Sequence, residues 1–133
     1  MKNKMTYIID DDKLSIKLIS MLISRNNFCQ KIIPFHNPQT ALNELIKNAE
    51  NPSLLPDVIF LDLNMPVLDG WQFLDEFKLI RFSKKIIVFI VSSSIDPSDL
   101  EMAKNYSIIK NYIEKPLNSD KLKQASLLIE NEV

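Results

Sequence analysis

The stretch PDVIFLDLNMPVLDG, Pro56 to Gly70, decides how this chain is read. Its first part, Asp57 to Leu61, is a near-continuous apolar run rich in β-branched and aromatic residues, which suits a strand covered on both faces. Asp62 then stands between Leu61 and Leu63, where a carboxylate is costly unless something compensates it. The conflict resolves if the strand ends there and the chain turns at Met65-Pro66. Asp69 can then cap a helix that begins at Gly70 and carries Trp71, Leu74, Phe77 and Lys78 at helical intervals. The stretch is therefore a β–α junction with an acid at the strand's C-terminal end.

The same unit recurs along the chain. MTYII (5–9) is a strand, and Leu14, Leu18, Met21 and Leu22 then share one face at helical spacing. QKIIPF (30–35) is a second strand, placed at a sheet edge because Pro34 cannot donate to a ladder. Asn37-Pro38 opens a helix running to about Asn48. KIIVFIV (85–91) is the fourth strand, Asp96-Pro97 starts a helix through about Asn105, and NYIEK (111–115) is the fifth strand. Asn118 caps a last helix with Leu122, Ala125, Leu128 and Ile129 as its apolar stripe. Five β–α units predict an α/β domain with a parallel sheet, doubly wound, with right-handed crossovers.

With 133 residues, 46% hydrophobic and 25% charged, the composition suits one globular domain, 1–133, with no output domain. A net charge of -1 offers no field to recruit nucleic acid or anionic lipid, and the cluster Arg81, Lys84, Lys85 is too small to change that. The longest apolar run, Ile86 to Val91, is far short of the roughly 18 residues a membrane helix needs. No signal peptide precedes the first aspartates, so a soluble, cytoplasmic protein is expected. Cys29, the single cysteine, reads as a packing residue, and His36 as a loop residue without chemistry. Twelve asparagines against one glycine suggest that Asn26, Asn27, Asn48 and Asn105 fill left-handed and helix-end positions.

In doubly wound folds the site lies beyond the C-terminal strand ends. Those ends carry Asp10, Asp11 and Asp12, then Asp62, then Ser92, Ser93 and Ser94, then Lys115. Asp12 reads as a helix cap; the other acids repel one another unless they share protons or bind a cation. Oxygen-only ligation favours a hard ion, and Mg²⁺ fits best. A lysine and a hydroxyl facing it would bind phosphoryl oxygens. Without a glycine-rich nucleotide loop, the phosphoryl group arrives by other means, and Asp62 is the candidate nucleophile.

The IIDDD after the first strand, DVIFLDLNMPVLDG around the third, FIVSS ending the fourth and YIEKP at the fifth together resemble the receiver domain of two-component response regulators. The resemblance covers nearly the whole chain. It implies a flavodoxin-like strand order 2-1-3-4-5 and phosphorylation of Asp62 by a sensor histidine kinase or phosphotransfer protein. Asp11 would be a direct Mg²⁺ ligand, Asp10 the acid holding the metal through water, and Asn64 a backbone-carbonyl ligand. Ser92 matches the switch hydroxyl, Lys115 the lysine that pairs with the phosphoryl group, and Tyr112 the aromatic that turns inward. The Lys115-Pro116 bond is expected cis.

The segment from Ser92 to Lys115 is one residue longer than the family interval, so SIIKN is expected to bulge or turn atypically. Output through an α4-β5-α5 surface to a downstream protein, as a monomer or weak dimer and without DNA binding, completes the expectation. The protein would be a phosphoacceptor switch, not a turnover enzyme. Two other classes share some of these residues. An aspartate-nucleophile phosphatase needs a second acid two residues after the nucleophile, where Asn64 stands; a flavodoxin-like cofactor binder needs a phosphate loop that is absent after the first strand.

Overall fold

The computed structural model describes residues 3–132. Five strands, β1 (Met5–Ile9), β2 (Lys31–Phe35), β3 (Val58–Leu61), β4 (Ile87–Ser92) and β5 (Ile109–Glu114), alternate with helices α1 (Lys13–Arg25), α2 (Pro38–Lys47), α3 (Gly70–Phe77), α4 (Pro97–Ala103) and α5 (Ser119–Glu130). The strands are all parallel, in the order β2-β1-β3-β4-β5. Pro34 lies on the edge strand β2, where its missing N–H costs no ladder bond.

Strand alternation builds a core on each face. Tyr7, Ile9, Ile59, Leu61, Val88 and Ile90 pack with α2 and α3 through Ala41, Leu42, Leu45, Phe73, Leu74 and Phe77. Ile8, Phe60, Phe89 and Val91 face the other way, against Ile16, Ile19 and Ile23 of α1 and Leu122, Ala125 and Ile129 of α5. Every residue of β3 and β4 is buried, which is why those segments read as unbroken apolar runs. Cys29 packs at the rim of the second core.

The helix caps follow the sequence. Asp12, Asn37, Asp96 and Asn118 each accept N–H groups of the first turn that they open, and Asp69 forms a reciprocal capping box with Gln72.

Two local expectations need correction, the packed face of α1 and the bounds of β4 and β5. The face of α1 carrying Leu14, Leu18 and Met21 points outward, with Leu14 62% and Leu18 57% exposed, and the isoleucine row packs instead. Two apolar stripes share this helix, and periodicity alone cannot say which one the crossover turns inward. The asparagines take the positions expected of them: Asn27 is left-handed, at φ 53°, and Asn26 and Asn48 cap the ends of α1 and α2 at ordinary negative φ. The other positive φ of a non-glycine residue among those described is at Val67, 68°. Finally, β4 extends through Ser92 and β5 starts at Ile109. The register between them slips, Val88 facing Ile109 but Phe89 facing Asn111, so Lys110 is the extra residue of a bulge.

Candidate phosphoryl-acceptor site

Asp10, Asp62 and Lys115 are each the first residue past the end of a strand, and each still bonds to the neighbouring strand. The Asp10 N–H donates to the Phe35 carbonyl at 3.0 Å, the Asp62 N–H to Ile9 at 3.0 Å, and the Lys115 N–H to Ser92 at 2.9 Å. The sheet thus fixes three backbones at its C-terminal edge while their side chains turn into the space beyond it. The Lys115-Pro116 bond is cis.

Carboxylate oxygens of Asp10, Asp11 and Asp62 lie within 4.8 Å of one another. Asp10 and Asp62 are buried, at 2% and 7% exposure, while Asp11 opens to solvent. Lys115 Nζ donates to Asp10 Oδ2 at 2.8 Å and stands 3.7 Å from Asp62 Oδ2. Asp10 Oδ1 accepts the Asp12 N–H at 2.9 Å, but Asp62 Oδ1 receives the Asn64 N–H at a longer 3.5 Å, with the Leu63 N–H also favouring its charged form. Three carboxylates therefore face one ammonium, and Asp62 is the less satisfied of the two buried acids. Burial raises the Asp62 carboxyl above the ordinary aspartate range; Lys115 pulls it down, and Asp10 pushes it further up.

The donor set is all oxygen, one member is open to water, and the local charge is negative. These features fit a hard divalent ion such as Mg²⁺, which takes one or two carboxylates and retains waters. Asp10, Asp11 and Asp62 could hold it, and Asn64 stands at the mouth, two residues after Asp62.

Ser92, fully buried, ends β4, and its Oγ accepts the Ser94 N–H at 3.2 Å. Tyr112 OH donates to the Ser94 carbonyl at 2.8 Å, so the ring is already turned toward the β4–α4 loop. Burial raises the Tyr112 phenol, opposed by hydrogen bonds with the Ser92 and Ser94 hydroxyls. The residues singled out from the sequence therefore gather at one end of the sheet. Asp12 serves as the α1 cap. His36 is exposed and lines a shallow groove with Asp11 and Val67.

Sequence reasoning passed over Asp99 and the link that it makes. Its Oδ2 accepts the Ser94 hydroxyl at 2.7 Å and its Oδ1 the Trp71 indole N–H at 3.3 Å. Trp71, read as a packing residue, does pack on Tyr106, with ring centroids 5.2 Å apart. The signal for Asp99 was slight, an acid in the first turn of α4, which helix electrostatics alone would explain. Also unforeseen is a groove of about 720 Å³ beside the site, lined by Leu14, Leu18 and Met21 of α1 together with Lys115 and Pro116.

Among the described residues no helix is long and apolar enough to cross a membrane. The family model of the response regulator receiver domain matches residues 6–126. The chain is similar to a two-component response regulator from Cytophaga hutchinsonii, known from a crystal structure, with a TM-score of 0.86 and 30% identity over 99% of this chain and 100% of that one. A response regulator receiver protein from Dyadobacter fermentans superposes with a TM-score of 0.80 at 26% identity, over 92% of this chain and 94% of that one. Among curated proteins, the probable methanogenesis regulatory protein FilR2 of Methanothrix harundinacea is 26% identical over 117 residues, 88% of this chain and 75% of its own length. Fold and strand order agree with these matches, and the chain belongs to the response regulator receiver family of two-component signalling.

Proposed function

We propose that Asp62 accepts a phosphoryl group from a phosphohistidine on a sensor histidine kinase or phosphotransfer protein. The observation that carries this is the under-satisfied, buried Asp62 carboxylate beside Asp10, Asp11 and Lys115. In the transfer an Asp62 oxygen attacks phosphorus, the P–N bond to imidazole breaks, and its electron pair stays on the imidazole nitrogen. Lys115 binds one phosphoryl oxygen and Ser92 donates its hydroxyl to another, stabilising charge that spreads over the oxygens in the transition state. Mg²⁺, held by Asp10, Asp11, Asp62 and the Asn64 carbonyl, would neutralise the remaining charge there.

The exposed α1 row, Leu14, Leu18 and Met21, gives the donor an apolar surface at the mouth of the site. Tyr112 and the α4-β5-α5 face report the modified state to a downstream protein. Two residues after Asp62, where an aspartate-nucleophile phosphatase carries its second acid, stands Asn64, and on this reading the protein works as a switch and not as a turnover phosphatase. On this reading it is a cytoplasmic protein, monomeric or weakly dimeric, that binds neither nucleic acid nor membrane.

Incubation with acetyl phosphate and Mg²⁺, followed by intact-mass measurement, tests the assignment. One phosphoryl group should be gained, and the gain should vanish in Asp62→Asn and on chelating the metal. A wild type that stays unmodified, or a gain that survives Asp62→Asn, sinks it.

A further inference from the structure

α4 is attached unlike the other helices. α1, α2, α3 and α5 each insert a row of buried side chains into one of the cores, whereas α4 buries none completely. What ties it down is largely polar. Asp99 accepts the Ser94 hydroxyl at 2.7 Å through one carboxylate oxygen and the Trp71 indole N–H at 3.3 Å through the other.

Ser94 is the hub of this attachment, because each of its polar groups is engaged. Its hydroxyl donates to Asp99 and accepts the Asp96 N–H at 3.3 Å. Its own N–H donates to Ser92 Oγ at 3.2 Å, and its carbonyl accepts Tyr112 OH at 2.8 Å. A continuous chain of hydrogen bonds therefore runs from the Ser92 hydroxyl through Ser94 to α4 and β5, and through Asp99 to α3.

An acid in the first turn of a helix is favoured by the helix dipole, and that alone could explain a carboxylate at position 99. It does not explain why both oxygens are taken by side chains from outside the helix.

We propose that Asp99 is a positioning residue: it fixes Ser94, and through it the Ser92 hydroxyl, for phosphoryl binding at Asp62, and it passes occupancy of that site to Trp71 on α3. The proposal rests on the phosphoacceptor reading above. The Ser94 N–H occupies a lone pair of Ser92 Oγ, so the hydroxyl can turn its proton from Tyr112 to a phosphoryl oxygen. When a phosphoryl oxygen draws Ser92 in, Ser94 follows, and the carboxylate shared between Ser94 and Trp71 must readjust. An element held by a few polar links and little buried apolar area has a low cost of local rearrangement, which is what a coupling of this kind requires.

The test uses the full chain with Mg²⁺ and beryllium fluoride as a stable phosphoryl mimic. Binding is read from backbone amide NMR shifts, and Trp71 emission, from the one tryptophan of the chain, is recorded in parallel. The wild type should bind saturably with a matching change in emission. Asp99→Asn and Ser94→Ala should each raise the midpoint about tenfold and suppress the emission change. The double variant should be no weaker than either single one, because both remove the same link.

If Asp99 only supports the helix, Asp99→Asn will lower the urea midpoint and leave the beryllium fluoride midpoint unchanged; that result, or additive losses in the double variant, overturns the proposal. Should Asp99→Asn fail to fold, Trp71→Phe removes only the indole donor, and an unchanged midpoint there overturns it equally. A wild type that takes neither beryllium fluoride nor acetyl phosphate overturns the phosphoacceptor reading and this one with it. A wild type that takes both, with variants that match it, overturns this one alone.

Discussion

Replacing Gly70 by alanine sets two physical effects against each other. Gly70 is the first residue of α3 and has no positive φ, so backbone conformation does not demand glycine there. Helix propensity favours alanine by up to about 1 kcal/mol, most of it the backbone entropy that alanine removes from the unfolded chain. Propensity alone therefore predicts a more stable protein. The surroundings predict the reverse. A Cβ on Gly70 would lie 2.7 Å from the Asp62 carbonyl oxygen, 2.8 Å from Leu63 Cα and 3.0 Å from Leu63 Cδ2.

Two of those atoms are backbone, and neither can swing aside. The Asp62 N–H is tied to Ile9 and the Gly70 N–H to the Leu63 carbonyl, both at 3.0 Å. The loop must shift as a unit by about half an ångström, and because the obstructing atoms are backbone the overpacking cost lies high in its usual range, roughly 2–3 kcal/mol, against a propensity gain of at most about 1 kcal/mol. We expect Gly70→Ala to be net destabilising by about 1–2 kcal/mol, a fall in Tm of roughly 4–8 °C for a domain of this size. Urea unfolding followed by far-UV circular dichroism measures it; tryptophan emission is unsuitable because Trp71 is the next residue. The displaced segment carries Asp62, so labelling by acetyl phosphate should slow by about tenfold, since sub-ångström misplacement of a reacting group is enough for that. A midpoint equal to or above wild type, at unchanged m-value, would show that the close approach of α3 to the acceptor loop does not constrain the chain.

Three further substitutions follow from the same reasoning. Val67 is fully exposed at φ 68°, with the Leu68 N–H bonded to the Pro66 carbonyl at 2.8 Å, a positive-φ γ-turn that a β-branched residue occupies under strain; Val67→Gly should raise the urea midpoint by the equivalent of about 0.5–1 kcal/mol. Asp57→Ala removes the partner of Lys84 at 2.9 Å and the acceptor for the Lys4 and Met5 N–H groups, so a loss of roughly 2–3 kcal/mol is expected, tempered because Lys84 can still reach water. Glu132 bridges Lys85 and Lys110, and those bonds pull its carboxyl down to about 2 from 4.5. A depressed folded pKa gives stability that is present above about pH 4.5 and lost as pH falls toward about 2; the drop in urea midpoint from pH 7 to pH 3 should therefore be smaller in Glu132→Gln than in the wild type.

Where residue type and local rule agreed, the chain could be read directly. Strands β3 and β4, the edge position of β2 and the caps at Asp12, Asn37, Asp69, Asp96 and Asn118 each follow from a nearby physical requirement. So does the convergence of Asp10, Asp62, Ser92 and Lys115, because parallel topology sends every strand's end to the same side. What stayed hidden was decided at a distance. Which stripe of α1 packs depends on how the crossover meets the sheet, and both stripes are apolar. The bulge at Lys110 was legible only as one residue too many, not as a position. Asp99 could not be told from an ordinary first-turn acid until α3 and the β4–α4 loop were placed beside it, and Val67 breaks the propensity rule that pointed to asparagine.

Strand β3 also shows why a buried aspartate by itself says little about function. Asp57 and Asp62 bracket the same four apolar residues, and in sequence the two are nearly mirror images. Both are buried, at 6% and 7% exposure. At the N-terminal end Asp57 is fully employed, with an ammonium at 2.9 Å on one oxygen and two backbone N–H groups, at 2.8 and 3.3 Å, on the other. At the C-terminal end Asp62 has a long N–H bond at 3.5 Å from Asn64, the Leu63 N–H nearby, and an ammonium at 3.7 Å that bonds more closely to Asp10. Burial costs a carboxylate the same hydration at either end of the strand. Only at one end is the cost left largely uncompensated by the protein, which is the state that the proposed roles toward a cation and a phosphoryl group require. Asp57 closes the fold; Asp62, equally buried and four apolar residues away, keeps lone pairs that the fold does not use, and the phosphoacceptor proposal stands on that difference.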